Sequence, residues 1–397
     1  MDKYNKVLLL IIILLATSGQ FATEIYLPSM PNMASYFAVP LKNIQFSITM
    51  YALGYSIGSI FWGYFSDKFG RRLVILPCLG VAIVGGIICS ATINLEWLLI
   101  GRFIQGVGLS GAGVSSRSIA RDIAKNKIQL AKLASVTGIL ATVAMAIAPI
   151  LGGYIEKYSF WRINFITLLL ISVTIALLCW FKLDETNYNR GKFSWLNMFH
   201  EYKEVISCKN FAIYNALGTF TFTGLVAYQT VSPYFLQVKV GLAPDQFGYT
   251  SLVVIFSLML GGIFNNRLVA QRGTEKMLFL GCIIFFIAGF CYILFGLLHL
   301  ITLISILTPI MLFSFSAGII YPNASSGALS LFSTKAGTAA SIYNFFQMVG
   351  AVLGSGLMSI VRHTSQVPLG VIFVFLGIVG IVLILFINQD MNNVSLE

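Results

Sequence analysis

Residues 7–31 read VLLLIIILLATSGQFATEIYLPSMP, and this stretch opens with an apolar run long enough to cross a bilayer as a helix. At about 1.5 Å per residue, Glu24 lies about 25 Å along a hydrocarbon core about 30 Å thick. A carboxylate at membrane depth costs about 2.5 kcal/mol or more, so such residues normally face a protein interior and take part in ion or proton movement. Two interpretations remain open: Glu24 is hydrated at the outer interface, or it binds a proton inside the membrane.

The composition is that of an integral membrane protein. Hydrophobic residues make up 57% of the chain and charged residues 10%, and the mean hydropathy is +0.87, whereas soluble domains carry about 25% charged residues. The net charge of +11 would suggest a nucleic-acid partner in a soluble protein, but Lys and Arg are enriched in cytoplasmic loops of membrane proteins. We therefore expect no nucleic-acid partner. The scattered cysteines and histidines predict no metal site.

Apolar runs of helical length recur along the whole chain and predict about twelve transmembrane helices. A β-barrel would show short alternating segments instead. The first run is too long for a cleaved signal peptide and has no small-residue cleavage site, so we expect it to be retained. The later runs cover approximately 43–64, 73–92, 97–117, 130–154, 162–182, 211–236, 247–265, 277–299, 302–325, 338–361 and 368–388.

The distribution of positive charge places both termini in the cytoplasm. An even number of spans puts the two termini on one side of the membrane, and most of the 25 Lys and Arg residues fall in loops on that side. Loops enriched in Lys and Arg are cytoplasmic. The opposite loops hold only Lys42, Lys157, Arg162, Lys239 and Arg362, while Arg102 and Arg117 lie within or at the end of the fourth span.

A polar stretch at 183–210 divides the chain into halves of six spans each. Apolar side chains recur in it at helical spacing, at Trp195, Phe199, Tyr202 and Ile206. This spacing suggests a helix along the cytoplasmic membrane surface, and the alternative is an ordinary linker that only joins the halves. The predicted parts are a six-helix bundle at 1–186, a cytoplasmic linker at 187–209 and a second six-helix bundle at 210–397.

The two halves show a trace of repetition. Residues 63–68 read GYFSDK at the end of the second span, and residues 262–267 read GIFNNR at the end of the eighth. Their offset is close to half of the chain length. Two related, pseudo-symmetric bundles of six helices, with a substrate site between them near the midplane, are typical of the major facilitator fold.

The loop after the second span resembles the signature loop of the major facilitator superfamily. Residues 63–72 read GYFSDKFGRR, so glycines, an acid and paired arginines stand at the family's spacing. Glycine lets backbones approach and turn sharply, and Asp67 is placed to accept from N–H groups at a helix N-terminus. A simple positive loop would require neither. The resemblance implies a cytoplasmic latch between the bundles, formed by Gly63, Asp67, Gly70, Arg71 and Arg72.

The fourth span resembles a second motif of this family. Residues 99–108 read LIGRFIQGVG, and Arg102 lies about 7 Å below the outer end of the span. Glu24 has a similar depth, and spans one and four both line the cavity in this fold, so the two side chains are placed to meet or to share a water. A nearby arginine favours a charged carboxylate, whereas burial favours the neutral form. We therefore predict that Glu24 and Arg102 couple transport to proton movement.

The end of the fifth span resembles the family's antiporter motif. Residues 148–153 read APILGG, in which an alanine stands where the family often has glycine, although small size is retained. The resemblance implies an antiporter-motif helix that carries Ala148, Pro149, Gly152 and Gly153. The alternative is a proline with paired glycines that simply kinks or closes a helix.

Shorter matches run along nearly the full chain and resemble the Bcr/CflA branch of bacterial drug:proton antiporters. They are TEIYLPSMP at 23–31, SIARD at 118–122, YPNA at 321–324 and AGTAA at 336–340, the last followed by Gln347. This branch commonly has aspartate where the chain has Glu24, which is one methylene longer and has the same chemistry. The resemblance implies a proton-coupled exporter of small amphipathic compounds, or drugs, in the bacterial inner membrane.

Uncharged polar residues inside the spans supply candidates for a substrate cavity. Amides and hydroxyls beside many aromatic side chains suit an amphipathic or aromatic ligand. Interhelical hydrogen bonding, worth about 0.6 kcal/mol each, explains them equally well. The candidates are Tyr26, Gln105, Thr223, Gln229, Asn323, Asn344 and Gln347. Arg117 falls about 22 Å beyond Arg102, at the cytoplasmic mouth, where it anchors the helix end or guides anionic solutes.

Three classes of function follow, with proton-coupled export by alternating access as the leading one. The alternatives are transport of one physiological metabolite or siderophore in either direction, and a membrane sensor or scaffold that transports nothing. The sequence contains no nucleotide-binding loop of the Gly-x-x-x-x-Gly-Lys type, so we expect no enzyme. We further expect a multi-pass monomer in the lipid bilayer that carries a small molecule and protons, with the proton gradient as energy source and no cofactor.

Overall fold

The computed structural model describes residues 3–124, 126–187, 195–332, 336–361 and 365–387, and these ranges consist of helices and short connections without a strand. The helices of the first half are α1 (Lys3–Glu24), α2 (Met30–Tyr36), α3 (Leu41–Phe69), α4 (Arg71–Ala91), α5 (Leu95–Ile123), α6 (Lys127–Tyr158) and α7 (Arg162–Lys182). They are followed by α8 (Trp195–Ser207), α9 (Lys209–Pro233), α10 (Pro244–Arg272), α11 (Thr274–Leu297), α12 (Leu303–Ser330), α13 (Ala336–Ile360) and α14 (Val367–Ile384).

The predicted membrane-spanning helices are present. Within the described ranges, nine helical segments are long and apolar enough to cross a bilayer, and α1 and α2 together form the first of them. Three more helices, α3, α9 and α13, have 29, 25 and 25 residues and therefore the length to cross. Glycine, serine, threonine and amide side chains interrupt the apolar sequences of these three helices. The sum of nine and three confirms the prediction of about twelve spans.

The first span is broken, whereas its apolar run predicted one continuous helix. Helix α1 ends at Glu24, a 3₁₀ turn occupies Leu27–Ser29, and α2 begins at Met30. A proline stands in the first turn of the 3₁₀ segment and another in the first turn of α2. Proline suits a helix start but has no N–H with which to continue a preceding helix. The break therefore leaves Glu24 at the C-terminal end of a helix.

The chain divides into two compact units. The first unit comprises Met1–Phe193, Gln229–Ile255 and Ala351–Ile360, and the second comprises Ser194–Tyr228, Phe256–Gly350 and Val361–Glu397. The first unit thus holds α1–α7 together with one end of α9, of α10 and of α13. The division into bundles at 1–186 and 210–397 stays a prediction.

In the first unit, α5 is the helix around which the others pack. It contacts α1, α3 and α4, and α4 packs in turn on α7. The contact between α5 and α3 is so close that a Cβ on Gly106 would overlap the backbone of Tyr51. Lipid is as apolar as a leucine side chain, so helices in a bilayer associate through such close van der Waals contact. Close contact between helix backbones therefore holds the helices of the first unit together.

In the second unit, α11 packs against α12 and α14. The rings of Phe285, Phe313 and Phe373 fill this contact, with centroids 4.6 to 5.3 Å apart. Asn323 of α12 donates a hydrogen bond to Asn265 of α10 at 2.6 Å. The second unit thus combines an aromatic core with a buried pair of amides.

The polar stretch between the halves contains the helix that its apolar spacing predicts. Helix α8 has 13 residues, too few to cross a bilayer. Residues 188–194 lie outside the described ranges, as does Arg362, which the charge pattern puts in an outer loop. Glu201 of α8 accepts a hydrogen bond from Thr338 Oγ1 at 3.0 Å. The position of α8 on the membrane surface stays a prediction.

Candidate functional site

Glu24 is a buried carboxyl held by a neutral amide. The residue is 5% exposed, which argues against a carboxylate that is simply hydrated at the interface. Gln229 of α9 donates a hydrogen bond from Nε2 to Glu24 Oε1. Among the residues that the structure describes, no Lys, Arg or His nitrogen lies within 4.0 Å of the carboxyl oxygens. The structure therefore brings Glu24 together with Gln229 and does not bring it into direct contact with Arg102.

Arg102 instead lies between two tyrosine rings. It is 0% exposed, and its guanidinium carbon is 4.5 Å from the ring centroid of Tyr26 and 4.3 Å from that of Tyr51. A cation over an aromatic face is stabilised by about 2 kcal/mol when both are removed from water. Tyr26 is fixed in turn by a hydrogen bond of 3.0 Å to Ser47. The two rings thus hold the guanidinium in a defined place beside the break in the first span.

The hydrogen bonds of Arg102 connect it to the end of α1. Nη1 donates to the carbonyl oxygen of Ala22 at 3.2 Å and to Oε1 of Gln105 at 2.6 Å. The last carbonyls of a helix have no partner within the helix and carry the negative end of its dipole, so a cation there is favourable. Arg102 therefore stabilises the helix terminus on which Glu24 stands.

Two predicted cavity residues in the first unit, Tyr26 and Gln105, surround Arg102 rather than open space. Both are fully buried. In the described part of the chain, Arg102 Nε, Arg102 Nη2 and Gln105 Nε2 are buried donors that find no acceptor. Buried donors of this kind cost about 1–3 kcal/mol each, so the structure retains them against a penalty. These three N–H groups could each donate a hydrogen bond to an additional acceptor near Arg102.

The cavity candidates in the second unit are mostly engaged in hydrogen bonds to protein. Thr223 donates to Thr219 O at 2.9 Å, and Asn344 donates to Ala340 O at 2.6 Å, each within its own helix. Asn323 donates to Asn265 and to Ile319 O. Gln347 is buried on α13. The bonds of Asn323 fit the interpretation as interhelical hydrogen bonding, and contact with substrate stays a prediction for all four.

The residues of the predicted latch form an ionic cluster at the end of α3. Arg71 is 2% exposed, and its side chain donates to Asp67 at 2.6 Å and to Asp122 of α5 at 2.7 Å. Arg121 reaches Asp67 at 3.4 Å. The backbone of Gly70 has φ 107°, a left-handed conformation that glycine adopts without strain. These contacts join α3, α4 and α5, and a latch between bundles stays a prediction.

A different acid fills the position at the helix N-terminus that the sequence assigned to Asp67. The backbone N–H of Arg71, the first residue of α4, donates to Glu185 Oε1 at 2.8 Å. Asn187 donates from Nδ2 to Asp67 O at 3.0 Å. The cause is geometric, since Asp67 belongs to the last turn of α3 and points at the side chain of Arg71. The segment after α7 therefore belongs to the latch cluster.

Two remaining members of the signature loop and the mouth arginine occupy separate positions. Arg72 donates from Nη2 to Trp180 O at 2.8 Å, and Gly63 lies within α3, partly buried. Arg117 is exposed on α5 and is close enough to Tyr55 to interact with it electrostatically. Its exposure fits a residue at a mouth, while the choice between anchoring and guiding solutes stays open to experiment.

The antiporter-motif residues produce very close backbone contacts. A Cβ on Gly152 would overlap the carbonyl oxygen of Ile25, the residue after Glu24. A Cβ on Gly153 would overlap Pro244 O at the start of α10, and Ala148 is fully buried. Helix α6 continues through Pro149 to Tyr158, so the proline does not close it. These four residues seat α6 against both the break in the first span and the start of α10.

A second buried acid, Glu156, was not among the site residues predicted from the sequence. Helix α6 continues past the end of the fifth apolar run and carries Glu156, which is 7% exposed. Its Oε1 accepts a hydrogen bond from Asn32 Nδ2 at 2.6 Å. Its neighbour Lys157 pairs with Asp245 of α10 at 2.7 Å. The available signal was its spacing of four residues from Gly152, which puts both on one helical face.

Comparison with known proteins identifies the family. The sequence model described as Major Facilitator Superfamily matches residues 9–355. The chain belongs to the Major Facilitator Superfamily. This transporter is 31% identical over 378 residues to the bicyclomycin resistance protein homolog of Haemophilus influenzae, covering 92% of each chain. It is 27% identical to multidrug resistance protein D of Escherichia coli, covering 94% of each. These relatives confirm the resemblance to the Bcr/CflA branch.

Solved structures of the superfamily share the fold of this transporter. The D-xylose-proton symporter superposes with a TM-score of 0.74 at 16% identity, covering 95% of this chain and 97% of that one. At this identity the likeness concerns the fold alone. The chain is a multi-pass membrane transporter with bacterial relatives, as expected for the inner membrane, and it is not an enzyme.

Proposed function

We propose that this transporter exports small amphipathic compounds, drugs among them, from the cytoplasm in exchange for protons. Membership of the superfamily makes it a carrier of small molecules. The relatives named for bicyclomycin and multidrug resistance support drugs as substrates and export as the direction. They do not favour the alternative of a single metabolite or siderophore. The proposal includes a monomer that uses the proton gradient and no resident cofactor.

The observation that carries the proposal is the environment of Glu24. Moving an isolated charge into an apolar interior is costly, so a buried carboxyl without a cationic partner is stable when it holds a proton. The single hydrogen bond from Gln229 serves either form, because an amide both donates and accepts. Glu24 can therefore gain or lose a proton without losing its neighbour, which is what a coupling carboxyl requires.

Arg102 has the complementary part in this proposal. Its two unpartnered donors and that of Gln105 are close to the break on which Glu24 stands. When the site opens and Glu24 releases its proton, these donors can stabilise the carboxylate that results. When Glu24 takes up a proton, the carboxyl no longer needs these donors, and Arg102 returns to the carbonyl of Ala22. Arg102 is thus proposed to alternate between the carbonyl of Ala22 and the ionised carboxylate.

The groups around Arg102 also support an amphipathic substrate. The rings of Tyr26 and Tyr51 and the amide of Gln105 give an apolar surface with a few polar atoms. Binding sites for small organic molecules are typically lined in this way. A substrate that presents a positive charge or a hydrogen-bond donor next to Glu24 favours its ionised form, and this links substrate binding to proton release.

The direct test uses Glu24→Gln in proteoliposomes with an imposed pH gradient, with bicyclomycin and a cationic dye as substrates. The amide imitates the protonated form permanently, so drug flux against a gradient should disappear while binding of an uncharged substrate survives. Glu96→Gln is the matched control, because Glu96 is an exposed acid in the first turn of α5. It should transport at the rate of the unmodified protein.

Proton release on adding substrate to the detergent-solubilised protein distinguishes coupling from a general defect. The unmodified protein and Glu96→Gln should release protons, and Glu24→Gln should not. Undiminished release from Glu24→Gln would show that the proton is held elsewhere and would overturn the proposal.

A further inference from the structure

Glu156 on α6 has the chemistry of a second titratable site that the coupling at Glu24 does not use. The residue is 7% exposed, and its Oε2 is buried without a hydrogen-bond partner in the described part of the chain. Its Oε1 accepts from Asn32 Nδ2 at 2.6 Å. An ionised carboxylate in such a place would leave one charged oxygen with nothing to stabilise it, whereas a proton on that oxygen removes the charge.

Lys157, the residue next to Glu156, does not neutralise this carboxyl, because it pairs with Asp245 of α10. Lys157 is paired with Asp245 at 2.7 Å, and Tyr154 is bonded to Tyr249 at 2.7 Å. Among the described residues, no Lys, Arg or His nitrogen lies within 4.0 Å of the Glu156 carboxyl. Lys157 and Asp245 are thus paired with each other, although Asp245 Oδ1 is buried without a hydrogen-bond partner in the described part of the chain, and Glu156 is left out of this pair.

The charged groups on the other helices that pack against α6 are engaged as well. Arg162 of α7 donates to Tyr36 of α2 at 2.8 Å and to a backbone carbonyl, and Arg102 of α5 is held between its tyrosines. Glu96 of α5 is exposed at the helix start. On α1 the titratable neighbour is Glu24, whose partner is an amide.

The position of Glu156 connects it to the first carboxyl. It stands four residues after Gly152 and therefore on the same face of α6, about 6 Å further along the axis. Gly152 contacts the carbonyl of Ile25, the residue that follows Glu24. Asn32, the partner of Glu156, is exposed and belongs to α2, which continues the first span beyond the break. Asn32 thus joins Glu156 to an exposed position on α2, and Gly152 joins the same face of α6 to the break.

We propose that Glu156, hydrogen-bonded to Asn32, is a second proton-binding site on the outer side of the transporter, in series with Glu24. It takes up a proton from the outer solvent at the oxygen that has no partner and holds it next to the break. Passing the proton on restores the carboxylate, so charge and protons balance at each transfer. The physiological meaning of this site rests on the proposed exchange of drug for protons.

Infrared difference spectroscopy tests the site without transport. The full chain in nanodiscs is titrated, and the C=O stretch of protonated carboxyls is followed in a Glu24→Gln background. The background should keep one protonated carboxyl that disappears when Glu156→Gln is added. Adding Glu96→Gln instead should leave the signal unchanged. Identical spectra for these two double variants would overturn the inference and leave the test of Glu24 by flux unaffected.

A second variant covers the case in which Glu156→Gln does not fold. Asn32→Ala keeps the acid and removes the amide that donates to it, so the pH at which the carboxyl signal vanishes should change, with no change in the Glu96→Gln control. The same titration in sodium chloride and in choline chloride should give the same curve. A curve that depends on sodium would mean that the site holds a metal cation, and the proposal would be wrong.

Discussion

Arg102 combines three kinds of contact that a lysine cannot reproduce together. Its planar guanidinium stacks between Tyr26 and Tyr51 while one nitrogen bonds to both Ala22 O and Gln105. Lysine keeps the charge, but its tetrahedral ammonium group cannot stack on the tyrosine rings or reproduce the planar hydrogen-bonding geometry of a guanidinium. We expect Arg102→Lys to lower stability by about 2 kcal/mol and to abolish coupled flux. Thermal melting of the purified protein and flux in proteoliposomes measure the two effects, and wild-type melting with wild-type flux would contradict this role.

Gly152 is the position on α6 where a single methyl group should be most harmful. A Cβ would overlap Ile25 O, which is backbone and cannot rotate away. Overpacking of this kind costs about 1–3 kcal/mol, so Gly152→Ala should lower the melting temperature and disturb the break beside Glu24. Gly138→Ala on the same helix is the control, because nothing lies within 4 Å of its added Cβ. That variant should be neutral or gain up to about 1 kcal/mol from helix propensity.

At the scale of elements, we expect two acids of the ionic cluster at the end of α3 to differ, one affecting mainly stability and the other mainly transport. Both acids pair with the buried Arg71, but the side chain of Asp122 is 15% exposed and that of Asp67 is 53% exposed. Removing the partner of a buried charge costs about 3 kcal/mol, and exposed pairs contribute less than about 1 kcal/mol. We expect Asp122→Asn to destabilise the fold and Asp67→Asn to impair transport while the protein stays folded. Transport at the wild-type rate in Asp67→Asn would show that the latch assignment is wrong.

The elements show what sequence reasoning could reach. Hydropathy and length predict the spans because a bilayer demands long apolar helices whatever their partners. The sequence signals the break after Glu24 only through two prolines. It does not show which helix packs against the carbonyl groups at the end of α1. The spacing of the signature motif identified Asp67 and Arg71. The hydrogen bond from the N-terminus of α4 to Glu185 joins residues 114 positions apart, and no local sequence pattern predicts it. The partnership of Glu24 with Gln229, 205 positions away, was hidden for the same reason.

At the scale of the whole molecule, the contact of α6 with α10 links residues from the two sequence halves. Lys157 pairs with Asp245, and a Cβ on Gly248 would lie 2.6 Å from Pro149 O. Alternating access requires such contacts to open in every cycle. Lys157→Asp places two acids together and should weaken the contact of α6 with α10, lowering flux. The exchange Lys157→Asp with Asp245→Lys should restore it, and failure of the exchange to exceed the single variant would contradict a role of this pair.

The polar and small residues inside α3, α9 and α13 have a consequence for how the chain enters the membrane during its synthesis. A helix with many polar and small residues gains little by leaving the translocon alone, since insertion depends on the summed transfer energy of its residues. Helix α3 would then wait for α4 and α5, and α9 and α13 would wait for helices that are already in the lipid. We therefore expect α3 to enter the lipid stably only after α5 has been translated. Truncated nascent chains that end before and after α5 should differ in whether α3 resists carbonate extraction.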